Sequence, residues 1–121
     1  MNISGIGCDI VDIRRIENLM KEYEDRFLKR VFTEDEIKIS KEFNNCHGYF
    51  AKRYAAKEAY AKASGYGISG NISFNSIEVL NDKRGMPYFN KHPLAQNGFT
   101  ALLTLSDEYP YSMAYVIMMK K

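Results

Sequence analysis

The longest helical stretch in the sequence constrains everything around it. It runs from about Gly48 to Ser64, is rich in alanine and lysine, and meets a natural stop at Gly65. After an opening strand, the segments before this helix read as further helix. Those after it read mostly as strand, so the class is α+β.

Residues 2–11 read as that opening strand, with apolar residues at Ile3, Ile6, Cys8, Ile10 and Val11. Asp12 is a candidate N-cap. Ile13, Ile16, Leu19 and Met20 recur at helical spacing and form one apolar stripe. Arg26 to Val31 is a short helical piece. Thr33-Glu34-Asp35-Glu36 is a capping box, threonine at the cap and glutamate three residues on, and predicts a helix to about Phe43. Asn44, Asn45 and Gly48 interrupt before the long helix. Beyond it, Ile72, Phe74, Ile77, Val79 and Leu80 predict a strand, residues 81–85 a turn, and Pro87 to Phe89 a short return strand. Pro93 to Asn97 predicts one or two helical turns closed by Gly98. Residues 99–105 and 112–119 read as a hairpin joined through Asp107-Glu108-Tyr109-Pro110-Tyr111.

At 121 residues the prior is one domain, 1–121, with 45% hydrophobic residues to build a core. A domain this small buries less of its surface than a large one, so self-association is plausible on size alone. The net charge is only +2, too balanced for a dedicated nucleic-acid binder. Cys8 and Cys46 lie far apart without CxxC spacing, which points to reduced thiols rather than a disulfide scaffold or zinc site. The N-terminus lacks the charged and apolar regions of a signal peptide, and no apolar run approaches a membrane span. A cytoplasmic protein without membrane contact is expected.

Asp9 sits inside the apolar run Gly5-Ile6-Gly7-Cys8-Asp9-Ile10-Val11, where a carboxylate is unusual. It reads either as a metal ligand or as a strand-end aspartate facing water. Glu58 and Lys62 are four apart on the long helix and share a face, with Arg53 at its edge. They read either as cation- and phosphate-binding groups or as a surface ion pair. Magnesium suits two carboxylates such as Asp9 and Glu58, because phosphates and waters complete its octahedron. Gly65-Tyr66-Gly67 permits close backbone approach to a ligand or simply caps the helix. Gly85-Met86-Pro87 reads as hairpin geometry. Ser106-Asp107 reads as a cap, a turn or a ligand contact at the sheet rim. Arg14, Arg15, Lys21, Arg26, Lys29 and Arg30 make the first third locally basic, fit for solvent or for an acidic partner.

Together these segments resemble the bacterial holo-acyl-carrier-protein synthases, the short class of phosphopantetheinyl transferases. The resemblance spans essentially the whole chain. It is most specific at Arg53-Tyr54-Ala55-Ala56-Lys57-Glu58-Ala59-Tyr60-Ala61-Lys62-Ala63 with Gly65-Tyr66-Gly67-Ile68, and at Gly5 to Val11 with Arg15-Ile16. Phe32 to Glu36, Gly85 to Pro87 and Leu105-Ser106 follow in the expected order. It implies an antiparallel sheet packed on the long helix, a homotrimer with active sites between subunits, and transfer of 4′-phosphopantetheine from coenzyme A to a serine of acyl carrier protein in support of fatty acid biosynthesis. It assigns Asp9 and Glu58 to Mg2+ and Lys62 to the coenzyme A phosphates. Arg53, Gly65, Gly67, Lys83, Arg84, Gly85, Pro87, Ser106 and Asp107 would line the coenzyme A site. Arg15, Arg26 and Phe27 would dock the carrier protein. The serine proton would pass to Glu58 or to a water near Asp9.

Two positions depart from the family pattern. Asp107 stands where a histidine is usual, and Met86 where a basic residue is frequent, so grip on the 3′-phosphate is expected to shift to Lys83 or Arg84. The alternative reading is a non-catalytic module that binds a carrier protein or a nucleotide.

Overall fold

The computed structural model describes residues 2–121; Met1, the first residue of the expected unit 1–121, lies outside the described residues. Strand β1 (Asn2–Asp12) is followed by helices α1 (Ile13–Tyr23), α2 (Asp25–Val31), α3 (Glu34–Ser40) and α4 (Cys46–Ser64). Strands β2 (Glu78–Asn81), β3 (Pro87–Lys91), β4 (Phe99–Glu108) and β5 (Tyr111–Lys120) complete the chain. All pairings are antiparallel: β1-β5-β4 form one sheet and β2-β3 a hairpin.

Helix α4 is the spine. The Asn45 side chain accepts from the Gly48 N–H, so the helix starts at Cys46, two residues before the expected point. Gly65 closes it at φ 84, a left-handed conformation that costs glycine little, and its N–H bonds the Lys62 carbonyl. Tyr49, Phe50, Ala51, Ala55, Ala56, Ala59, Tyr60, Ala61 and Ala63 are all buried, which covers most of the helix circumference. The inner face of the sheet, with Val11, Ala114, Val116 and Met118, packs on it.

Side-chain alternation along β1 sets the rest. Gly5, Gly7, Asp9 and Val11 share the inner face, and Ile6, Cys8 and Ile10 the outer one. A β-carbon on Gly5 would strike the Ala63 carbonyl oxygen, and one on Gly7 the Ala59 carbonyl oxygen. Glycines on the strand and alanines on the helix therefore let the two backbones touch. That contact carries Asp9, two residues on, to the surface of α4.

Three expectations are corrected. Helix α3 ends at Ser40, not near Phe43, because Lys41, Glu42 and Phe43 close a turn through i−3 bonds to Lys38, Ile39 and Ser40. The strand expected over 72–80 is confined to Glu78–Asn81. Phe74–Ser76 is instead a 3₁₀ turn held by reciprocal bonds of Ser73 and Ser76. Asp9 lies mid-strand on the inner face, not at a strand end facing water. The N-cap at Asp12, the capping box at Thr33 and Glu36, and the turns at 93–97 stand as expected. No helix among the described residues is long and apolar enough to cross a membrane.

Beneath α4 lies a buried polar cluster. The Lys57 ammonium donates to the Val31 carbonyl at 2.7 Å, the Phe74 carbonyl at 3.0 Å and Glu36 Oε1 at 2.6 Å. Glu36 Oε1 also accepts from Thr33 N, and Oε2 from Val79 N at 2.8 Å. Every ammonium proton and both carboxylate oxygens are used, which is the condition for keeping two charges inside a core. The pair ties α3, α4 and β2 together.

Candidate active site

Where β1 crosses α4, the Lys62 ammonium donates to Asp9 Oδ1 at 3.1 Å and to the Cys8 carbonyl at 3.0 Å. The sequence suggested a Glu58–Lys62 ion pair; the structure pairs Lys62 with Asp9 instead. An ammonium has three protons, so one remains for a further acceptor. Glu58 sits beside them, half-buried. Burial and then the Asp9 charge push its carboxyl above the ordinary glutamate range, while Lys62, Tyr54 and Arg15 pull the other way. Two carboxylates thus lie close together with one shared ammonium, and Glu58 has no salt-bridge partner among the described residues. Lys62 and, as the weaker influence, Arg15 are the cations that act on Glu58.

The donor set fits magnesium. It offers two carboxylates and no thiolate or imidazole, and no group of three or more histidine, cysteine, aspartate or glutamate residues forms a metal cluster among the described residues. Magnesium is held by one or two carboxylates plus substrate phosphates and waters. The Arg15 guanidinium borders the cluster, donating to the Tyr54 hydroxyl at 3.4 Å and lying over the Tyr54 ring at 5.6 Å.

Arg53 does not join this group. Five residues of helix are roughly 140° of rotation at 3.6 residues per turn, so it points away from Glu58 rather than along the edge of its face. It is buried, stacks over Tyr49 at 4.1 Å, and donates to Asn81 Oδ1 at 2.8 Å. Asn81 ends β2, and the turn carrying Lys83, Arg84 and Gly85 follows it before Pro87, which pairs with Asn81 across the hairpin. Asp107 lies in β4 opposite Ser112, with Ser106 before it, and its carboxylate is 3.7 Å from Lys52. The expected site residues therefore fall into two groups within the chain. Asp9, Glu58, Lys62 and Arg15 form the first, with Gly65 and Gly67 in the loop just after Lys62. Arg53, the 83–87 turn and Asp107 form the second.

Arg26 and Phe27 line a shallow basic and apolar hollow with Leu19, Tyr23 and Arg30. Leu19 follows Arg15 by one helical turn, so the hollow continues the Arg15 face of α1. The sequence reading gave no role to Tyr54, Lys52, Asn45 or Asn81. Tyr54 lay within the most specific motif, beside Arg53, and could have been found from it.

Comparison with known proteins shows the family and the fold. Residues 5–116 match the family model of the 4′-phosphopantetheinyl transferase superfamily. A holo-[acyl-carrier-protein] synthase of Pelagibacter ubique is 42% identical over 130 residues, covering 100% of both chains. One from Ehrlichia ruminantium strain Welgevonden is 43% identical, covering 98% of each. Among solved structures, a holo-[acyl-carrier-protein] synthase from Neisseria meningitidis superposes with a TM-score of 0.91 at 39% identity, covering 98% of this chain and 99% of that one. A Bacillus anthracis holo-(acyl-carrier-protein) synthase in complex with CoA (3′,5′-ADP) gives 0.88 at 35% identity, with 100% of both chains covered. The strand–helix crossing that gathers Asp9, Glu58 and Lys62 thus sits in a chain that belongs to the 4′-phosphopantetheinyl transferase superfamily.

Proposed function

We propose that this chain is a holo-[acyl-carrier-protein] synthase, moving 4′-phosphopantetheine from coenzyme A to a serine of apo-acyl carrier protein in support of fatty acid biosynthesis. The observation that carries the reading is the meeting of Asp9, Glu58 and Lys62 at the β1–α4 crossing. Relatives named for this activity over their full length, one of them with CoA (3′,5′-ADP) bound, support it.

In this scheme Asp9 and Glu58 hold Mg2+, which when bound neutralises charge on the pyrophosphate. The serine oxygen attacks the β-phosphorus, the bond from that phosphorus to the bridging oxygen breaks, and 3′,5′-ADP leaves with the bridging oxygen. Lys62 steadies a phosphate oxygen with the proton that Asp9 and Cys8 leave free. The serine proton passes to Glu58 or to a water near Asp9. Arg53, Lys83, Arg84, Gly85 and Pro87 contact the nucleotide, with Ser106, Asp107, Gly65 and Gly67 at its margins. Arg15, Arg26 and Phe27 receive the carrier protein.

The outer face of the sheet supports self-association, which this reading takes to be a homotrimer. Ile6, Ile117 and Leu102 form one row across β1, β5 and β4, and are 71%, 38% and 54% exposed. Ile10 and Tyr115 extend this surface. A contiguous apolar face of this kind marks an interface. In this reading the active sites lie between neighbouring subunits. The same reading places the protein in the cytoplasm.

Incubation with apo-carrier protein, coenzyme A and Mg2+ tests the proposal. A carrier mass gain of one phosphopantetheine is expected. Release of 3′,5′-ADP without a modified carrier would mean hydrolysis, and no change would mean a binding module.

A further inference from the structure

At the N-terminal end of α4 a cavity of about 220 Å³ lies among Asn45, Tyr49, Lys52, Arg53, Asn81 and Asp107. That is below the roughly 300–1,000 Å³ of sites that engulf a drug-sized ligand, so it takes a fragment and not a whole nucleotide. Its floor is Arg53, only 3% exposed. One guanidinium nitrogen bonds Asn81, and Nε is buried without any hydrogen-bond partner. A buried charged group with an unused donor calls for an explanation.

The remaining lining is rich in donors. Asn81 and Asn45 each spend their carbonyl oxygen within the protein, on Arg53 and on the Gly48 N–H, which leaves both amide NH2 groups free. Lys52 brings a second cation. The one acceptor among these charged and amide groups without a hydrogen bond of its own is Asp107, 3.7 Å from Lys52. That separation is a contact of charges without a hydrogen bond, between side chains that are both partly exposed, and such pairs are weak and easily exchanged. A phosphate monoester carries more charge and more acceptors than a carboxylate.

Resting on the function proposed above, we propose that Lys52 and Asp107 are paired specificity-determining residues for a phosphate group on the ribose of the donor nucleotide. Lys52 is a direct phosphate contact beside Arg53. Asp107 is its resting counter-ion, displaced when phosphate enters, and therefore a brake on phosphate binding. Its carboxylate can instead accept from a ribose hydroxyl, so this chain tolerates donors lacking the phosphate better than one with a neutral or cationic group at position 107.

The test measures binding of 3′,5′-ADP and of 5′-AMP to the intact protein by calorimetry, and kcat/KM for coenzyme A and 3′-dephospho-coenzyme A. A charge-assisted hydrogen bond is worth about tenfold or more in affinity. Lys52→Met is expected to lower the preference for 3′,5′-ADP over 5′-AMP about tenfold, with Lys52→Arg restoring most of it. Asp107→Asn is expected to raise that preference severalfold, and kcat/KM for coenzyme A relative to the dephospho donor should follow. A purely structural role would move both ligands equally and leave the ratio fixed; that result, or a preference lowered by Asp107→Asn, overturns the proposal. If the wild type transfers no phosphopantetheine, the functional reading fails by itself, and the 3′,5′-ADP to 5′-AMP ratio still decides the roles of Lys52 and Asp107.

Discussion

Helix α4 carries two lysine–carboxylate pairs, and they differ in what is left over. Lys57 and Glu36 are fully enclosed, 2.6 Å apart, with every proton and both carboxylate oxygens occupied. Lys62 and Asp9 are 3.1 Å apart, the lysine 55% exposed, with Glu58 alongside and in no salt bridge among the described residues. The first pair is chemically finished and can only hold the fold. The second has two carboxylates beside one ammonium, a spare ammonium proton and access to solvent. One helix serves both purposes because its two faces see different surroundings, the α3–β2 layer on one side and the edge of β1 on the other.

Breaking the exposed pair should separate activity from stability most sharply. Asp9→Ala is expected to cut phosphopantetheine transfer by about 10²–10³, the loss typical of a removed electrostatic contact at a reacting centre. Its melting temperature should stay within a few degrees of wild type. Transfer is followed by the mass of the carrier protein and stability by thermal melting.

The reverse holds for the buried pair. Lys57→Met leaves Glu36 charged without its counter-ion, and should cost about 3–5 kcal/mol in urea unfolding. Lys57→Met with Glu36→Gln should recover part of that loss. An unchanged unfolding midpoint in the single variant would mean that the pair does not hold the fold.

A third substitution acts on the contact that joins the two regions. Gly7→Ala drives a methyl group into the Ala59 carbonyl and must lift β1 from α4. Overpacking of this kind costs about 1–3 kcal/mol. Because Asp9 rides on the same strand, transfer should fall further than the stability loss alone explains, measured on protein that remains folded.

The smallest effect is in pH. Glu58 has its folded proton affinity raised above the ordinary value of 4.5, so its charge opposes folding. That cost is absent below the unfolded value and sets in as pH rises through the raised folded value. Glu58→Gln should therefore match wild-type stability near pH 4 and become the more stable form toward neutrality, then stay level. A difference that shrinks as pH rises would contradict the surroundings described for Glu58.

Much of this was legible in the sequence, for identifiable reasons. The cap at Asp12, the capping box at Thr33 and the stop at Gly65 each depend on neighbouring residues, and all are in place. The convergence of Asp9 with Glu58 and Lys62 was approached from helical spacing and an odd carboxylate, and the family resemblance joined them. The Lys57–Glu36 pair was not legible, because two ordinary letters on different helices leave no periodic trace. The Lys52–Asp107 contact was hidden likewise, spanning from α4 to β4. The 72–80 segment misled because its apolar residues suit a strand, while the Ser76 hydroxyl accepts from the Ser73 N–H and donates to the Ser73 carbonyl, winding the chain into a turn.

The most direct test of the division between a finished pair and an unfinished one is Glu58→Ala, assayed beside wild type with apo-carrier protein, coenzyme A and Mg2+. The account predicts no carrier mass gain from a variant that stays folded and melts no lower than wild type. Near-normal turnover by that variant would contradict it.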